Sequence, residues 1–347
     1  MSQIAVIGAG AWGTAISVVL GRKRSHRIHL WAHEKEVRES IEQRRTNEKF
    51  LPGQTIPDSV TATTNLAEAL AGAQIVLSVM PSQHCRGLCE QMHPHLPPQA
   101  LVVSATKGLE EGSLLRMTEI ITQVLTSRGA AAPRVGALSG PTFAVEVARG
   151  DPTAITIASR DAELARTVQH EFSDPAFRVY TNTDVIGVEL GGALKNIVAI
   201  AAGICHGLGL GHNSVAALLT RGLAEMTRLV VACGGRAETM AGLAGLGDLV
   251  LTCTGGLSRN RSVGVELGRG RKLPEIVAGM HGAVAEGIFT TTAAVGLARA
   301  RGVEMPITEQ MHGILSQGKA PRDAIHELMT RSGKSESTTR GGETKNP

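Results

Sequence analysis

Four apolar residues, Ile4-Ala5-Val6-Ile7, run directly into Gly8-Ala9-Gly10-Ala11-Trp12-Gly13, and helix-length sequence follows from Thr14. A strand, a glycine-rich turn and a helix in that order constrain the fold more than any other feature of the chain. Glycine at 8 permits a tight turn, at 10 a close approach of ligand to backbone, and at 13 close packing of helix on strand. The helix start adds N–H donors and partial positive charge, which suits the pyrophosphate of a dinucleotide. A glycine-rich corner without a ligand has the same spacing; the placement directly after a strand favours nucleotide binding. Trp12 reads either as core packing or as a flank of the cofactor.

The pattern that follows fits such a start. Short β-rich runs at 4–7, 28–31, 75–80, 101–104, 135–138 and 154–158 alternate with helical stretches at 14–22, 34–44, 114–127 and 162–172. Apolar strands alternating with helices predict a parallel sheet covered on both faces, a Rossmann-like α/β unit. After Asp184 strand signals stop, and 185–205, 214–233 and 290–301 read as helices. The expected organisation is a dinucleotide-binding domain at 1–184, an all-α substrate-binding domain at 185–330 and a disordered, Ser/Thr/Gly-rich tail at 331–347.

Several classes are disfavoured. A formal charge of +4, with basic residues dispersed among acidic ones, does not suit a nucleic-acid partner. Met1–Gln3 leads straight into the first strand with no basic n-region, so no export signal is expected. The apolar stretch 197–205 falls far short of the roughly 20 residues needed to cross a bilayer, so no stable membrane insertion is expected. Five cysteines, an odd number without a Cys-x-x-Cys pair, suit reduced thiols and a cytoplasmic location. His93 and His95 flank a proline beside Pro97-Pro98 and read as a surface loop, so no metal is expected.

Chemistry-bearing residues lie in the second half. In Gly191-Gly192-Ala193-Leu194-Lys195-Asn196 a lysine interrupts an apolar helix, which is costly unless it is paired, functional or snorkelling to the surface. Reduction of a ketone develops negative charge on oxygen, and a lysine there can stabilise it and donate a proton. Asp248, after a run of glycine and small apolar residues, reads either as a helix cap or as the partner that orients Lys195. Ser258-Arg259-Asn260-Arg261 gathers hydroxyl, guanidinium and amide donors that suit a phosphate dianion, or forms an exposed polar turn. Gly140 and Thr142 follow a strand, where backbone commonly lines the ligand crevice.

At these residues the chain resembles the bacterial NAD(P)-dependent glycerol-3-phosphate dehydrogenase family, over about residues 2–330. The blocks carrying the resemblance are GAGAWGTA (8–15), RTNEKFLPG (45–53), SATKGLE (104–110), SGPTFAVEVARGDPTA (139–154), GVELGGALKNIVAIAAG (187–203), TRGLAEM (220–226), GLAGLGDLVLTCT (242–254) and SRNR (258–261). The resemblance implies hydride exchange between NAD(P)H and dihydroxyacetone phosphate to give glycerol 3-phosphate for glycerophospholipid synthesis, by a homodimer. It implies Lys195 as general acid/base, with Lys107, Gly140, Thr142, Asp248, Ser258, Arg259 and Asn260 around the substrate. Ala11, Trp12, His33, Phe50, Ala144, Val284 and Glu286 would surround the cofactor, with Lys107 and Arg259 touching both ligands. Ala11 stands where the family often has serine, which removes one side-chain contact to the pyrophosphate. His33 at the end of the second strand, with Lys35 beyond Glu34, predicts that NADPH is accepted at least as well as NADH. A hydroxyacid or sugar-acid dehydrogenase and a non-catalytic NAD(P) sensor are the alternatives.

Overall fold

The computed structural model describes residues 2–23, 25–127, 132–280, 284–333 and 335–336. Most of the 331–347 tail, expected to be disordered, therefore lies outside the described residues. Eight strands form one sheet in the order β3-β2-β1-β4-β5-β6-β7-β8. They are β1 (Ser2–Ile7), β2 (His26–Trp31), β3 (Val60–Thr63), β4 (Ile75–Ser78), β5 (Leu101–Ser104), β6 (Val135–Ser139), β7 (Thr153–Ala158) and β8 (Phe177–Asn182). The strand order reverses between β1 and β4, which opens a crevice at their carboxyl ends where a dinucleotide-binding sheet takes its ligand. Helices of this half are α1 (Ala11–Gly21), α2 (Lys35–Arg44), α3 (Leu66–Leu70), α4 (Cys85–Met92), α5 (Met117–Thr126), α6 (Ala144–Arg149) and α7 (Ala162–Phe172). The central strands β1, β4 and β5 are buried on both faces, as their unbroken apolar runs demand.

The sheet is not parallel throughout. β6 and β7 pair antiparallel, with Ser139 opposite Thr156, because the link between them leaves and returns at the same end of the sheet. That link carries Gly140, Thr142 and α6, whose Val147 and Ala148 join the same core as α1. It forms a lobe over the crevice rather than a crossover. The helix expected from residue 114 starts at Met117, since Leu114 takes a left-handed φ of 62°. β3 and β8, absent from the expected strands, are the two edges of the sheet.

Helices alone make up the described residues after Asp184: α8 (Val185–Gly207), α9 (His212–Ala232), α10 (Ala237–Met240), α11 (Asp248–Thr254), α12 (Arg259–Gly268), α13 (Leu273–Ala278), α14 (Glu286–Arg301), α15 (Pro306–Gln317) and α16 (Pro321–Met329), with a π-turn at Leu243–Gly247. The longest, α8, has 23 residues and is apolar enough to span a bilayer, contrary to the short stretch expected from sequence; it is instead the buried axis of this half. Its crossing with α12 is stripped to backbone. A Cβ on Gly203 would overlap the Arg261 carbonyl oxygen, and one on Gly264 would overlap that of Ile200. Arg116 and Thr118 of the sheet half bind the buried Glu189 of α8, with Thr118 N–H donating at 2.8 Å, and so tie the halves together.

Candidate active site

The β1–α1 turn is built by steric necessity. Gly8 has φ 124°, and a Cβ there would overlap the Val79 carbonyl; a Cβ on Gly13 would overlap the Gly8 carbonyl. At Gly10, by contrast, an added Cβ would meet nothing within 4 Å. The Gly10 N–H donates to no other group among the described residues, and the buried Trp12 Nε1 has no partner. A glycine turn with open space and unspent donors at the sheet's switch point fits a dinucleotide pyrophosphate. The other residues expected around the cofactor come from both halves. Ala11 and Trp12 begin α1; Ala144 begins α6 and, like Phe50, packs against the core that holds α1. His33 is exposed after β2, its ring 5.9 Å from that of Trp31. Val284 and Glu286 arrive from the helical half, and Glu286 accepts from Ser82 N–H at 3.1 Å and Ser82 Oγ at 2.5 Å. Burial pushes the Glu286 carboxyl up, against the pull of Ser82 and Arg259.

A buried ionic contact joins the two halves. Asp248, 1% exposed, takes Lys107 Nζ on one oxygen at 2.6 Å and Lys195 Nζ on the other at 3.0 Å. Lys107 comes from the loop after β5 and also donates to the Gly140 carbonyl at 2.9 Å; the Thr142 hydroxyl donates to the same carbonyl. Lys195 reaches down from α8 and donates to Thr252 Oγ1 at 2.6 Å, and Thr252 in turn donates to Asp248 at 3.1 Å. Asp248 is thus no helix cap: it begins α11 with its carboxylate given to two cations. Burial pushes Asp248 up, but the two lysines outweigh it and hold the carboxyl below its ordinary value. Burial, helped by repulsion from Lys107, brings Lys195 down to about 8, with Asp248 opposing. A lysine poised there can give or take a proton near neutral pH.

The Ser258–Arg261 cluster divides. Ser258 Oγ accepts from Arg261 N–H and caps α12. Asn260 is buried, donating to Asn196 at 2.8 Å and accepting from Gly287 N–H at 2.9 Å. The Arg259 side chain has no hydrogen bond or ion pair among the described residues and keeps an open edge to solvent. Surrounding protein still pulls its guanidinium below its ordinary value, while Glu286 opposes that pull. The Arg261 guanidinium likewise has no hydrogen-bond or ion-pair partner among the described residues, and Arg259 is the more exposed of the two cations. Thr252, Asn196 and Ser82 were not singled out as site residues from sequence. Thr252 had a signal: it lies four residues after Asp248, on the same helix face. No group of three or more His, Cys, Asp and Glu side chains suited to a metal occurs among the described residues.

A sheet shaped to take a dinucleotide, closed by a helical half that delivers a lysine of depressed proton affinity to the same cleft, is the architecture of a nicotinamide-dependent dehydrogenase. The profile described as NAD-dependent glycerol-3-phosphate dehydrogenase N-terminus matches residues 3–165, and that of the C-terminus matches 184–326. The chain belongs to this family. A protein of Koribacter versatilis named glycerol-3-phosphate dehydrogenase (NAD(P)+) is 70% identical over 95% of this chain and 98% of its own. One of the same name from Acidobacterium capsulatum is 57% identical over 97% of this chain and 100% of its own. A crystal structure of glycerol-3-phosphate dehydrogenase from Coxiella burnetii, 40% identical, matches with a TM-score of 0.90 over 95% of this chain and 99% of that one.

Proposed function

We propose that this chain interconverts dihydroxyacetone phosphate and sn-glycerol 3-phosphate, with residues 1–184 binding the dinucleotide and residues 185–330 the substrate. The observation that carries this reading is the Lys107–Asp248–Lys195 contact, at which both halves of the cleft meet. The nicotinamide dinucleotide, when bound, supplies or accepts the hydride at carbon 2. Lys195 protonates the ketone oxygen or deprotonates the alcohol, Asp248 and Thr252 hold its amine, and Lys107 adds positive charge beside the developing oxyanion. Arg259 takes the phosphate.

For the cofactor, Gly8, Gly10 and Gly13 shape the turn and Gly10 N–H meets the diphosphate. NADPH is accepted at least as well as NADH: Glu34, the acidic residue nearest the end of β2, lies 3.5 Å from Lys49, which it shares with Glu36, and this draws its carboxylate toward Lys49 and leaves His33 and Lys35 to a 2′-phosphate. The protein works in the cytoplasm as a homodimer and supplies glycerophospholipid synthesis.

The test follows NADPH loss with dihydroxyacetone phosphate and, separately, with unphosphorylated dihydroxyacetone. Turnover is expected with the phosphorylated ketone alone. Equal rates with both would remove the phosphate from the argument.

A further inference from the structure

We infer that Asn47, outside every ligand contact considered so far, is a positioning residue that aims the Gly10 N–H at the cofactor diphosphate. The inference rests on the reading that the cofactor lies on the β1–α1 turn. Asn47 sits between α2 and β3, is fully buried, and spends its side chain on that turn. Its Nδ2 donates to the Ala9 carbonyl at 2.9 Å and to Thr14 Oγ1 at 2.8 Å, while its Oδ1 accepts from Phe50 N–H at 3.1 Å. Thr14 Oγ1 passes its own proton back to the Ala9 carbonyl at 3.3 Å. The partners fix the amide's orientation, since a carbonyl needs a donor and an N–H an acceptor.

Asn47 is itself held. Its carbonyl accepts from Leu51 N–H at 2.9 Å, and the neighbouring Arg45 accepts from Ile56 N–H and donates to the Val60 carbonyl at 2.8 Å. The loop is therefore a rigid bracket against the glycine turn.

Peptide planarity turns this bracket into a directional device. In a trans peptide the carbonyl of one residue and the N–H of the next point opposite ways. Holding the Ala9 oxygen inward with two donors therefore holds the Gly10 N–H outward, where it meets no acceptor among the described residues, beside a Cα at which an added Cβ would meet nothing within 4 Å. Without the bracket, the Ala9–Gly10 peptide can rotate about the Ala9 ψ and the permissive Gly10 φ, and the donor must be ordered each time an anion binds. The same carboxamide fixes Phe50 at the crevice, so one side chain sets two parts of the cofactor's surroundings.

The test compares three variants of the full-length protein. Asn47→Asp keeps the acceptor for Phe50 but loses both donors and turns a charge toward the Ala9 carbonyl. Its Kd and KM for NADPH should rise about 10- to 100-fold, while kcat at saturating NADPH and KM for dihydroxyacetone phosphate stay within about twofold. Thr14→Val removes the weaker of the two donors to Ala9 and should raise the NADPH constants about threefold. Gly10→Val places its side chain in open space, so it should fold normally and abolish NADPH binding. If Gly10→Val binds NADPH unchanged, the cofactor lies elsewhere and the underlying reading fails. If Gly10→Val loses binding while Asn47→Asp retains wild-type affinity, the positioning role is overturned. A fall in kcat as large as the change in NADPH KM also overturns it, by marking a general structural effect. Should Asn47→Asp not fold by circular dichroism, Thr14→Val decides alone, and an unchanged KM for NADPH rejects the inference.

Discussion

Asp248 and Glu225 are carboxylates buried almost equally, 1% and 2% exposed, in the same helical half, yet their proton affinities move in opposite directions. Glu225 of α9 accepts from Ile307 N–H, Thr308 N–H and Thr308 Oγ1 at 2.7–2.9 Å, closing the start of α15. Its donors are neutral and Arg228 contributes least, so burial prevails and raises the carboxyl. Asp248 sits between two lysines, which overcome the same burial. Depth in the protein therefore does not by itself set the direction in which a buried carboxylate shifts: two lysines outweigh burial at Asp248, and neutral donors do not at Glu225.

The largest expected effects separate the two places by what they damage. Lys195→Met should lower kcat by about 10²–10⁴ and leave NADPH affinity nearly unchanged. Its thermal midpoint at pH 7 should not fall. With a folded value of about 8 against the ordinary 10.5, the charged lysine costs stability below pH 8, and the substitution removes that cost. A kcat near wild type would end the assignment of Lys195 as acid. Glu225→Ala should do the reverse: about 2–4 kcal/mol of stability lost in urea unfolding, from orphaned N–H groups at the start of α15, with kcat of the folded protein unchanged. A large fall in kcat there would erase the comparison.

Smaller effects sharpen it. If Lys195 is the proposed acid, kcat/KM for reduction should hold below pH 8 and fall about tenfold per unit above it, while alcohol oxidation should rise toward pH 8. Asp248→Asn removes the group that keeps the proton on Lys195, and should move the edge of the reduction profile to lower pH by about one unit. An edge that stays in place would assign it to another group. The smallest effect belongs to Glu225→Gln, which retains one acceptor: about 1 kcal/mol of stability and no shift of the pH profile.

How far such features are legible in a sequence depends on whether their cause is local. The glycine turn, the central strands and the buried lysine of α8 declare themselves through spacing and apolar runs. The edge strands β3 and β8 do not, because β3, Val-Thr-Ala-Thr, offers no apolar run, and β8 alternates buried and exposed positions, as an edge with one solvated side must. The reversal at β7 follows from where α6 packs, which no local pattern records. Asn47, Ser82 and Thr252 acquire meaning only from partners 38, 204 and 57 residues away, so they read as ordinary polar residues until the chain is folded. Asp248 was legible as a carboxylate with two possible duties, and only the arrival of Lys107 from the sheet half decides between them.

The bare crossing of α8 and α12 makes the molecule a caliper. Lys195 rides on one helix and Arg259 on the other, and where Gly203 meets Arg261 and Gly264 meets Ile200 there is no side chain to act as a cushion. The jaws therefore cannot slide independently, and their gap is set by backbone thickness rather than by adjustable rotamers. Under the proposed roles, with the phosphate at Arg259 and the reacting oxygen at Lys195, the tool would gauge the distance between them along a three-carbon chain. A ketone phosphate longer by one carbon seats its anion and misses the lysine by about a bond length, an error of the order that costs about 100-fold in rate.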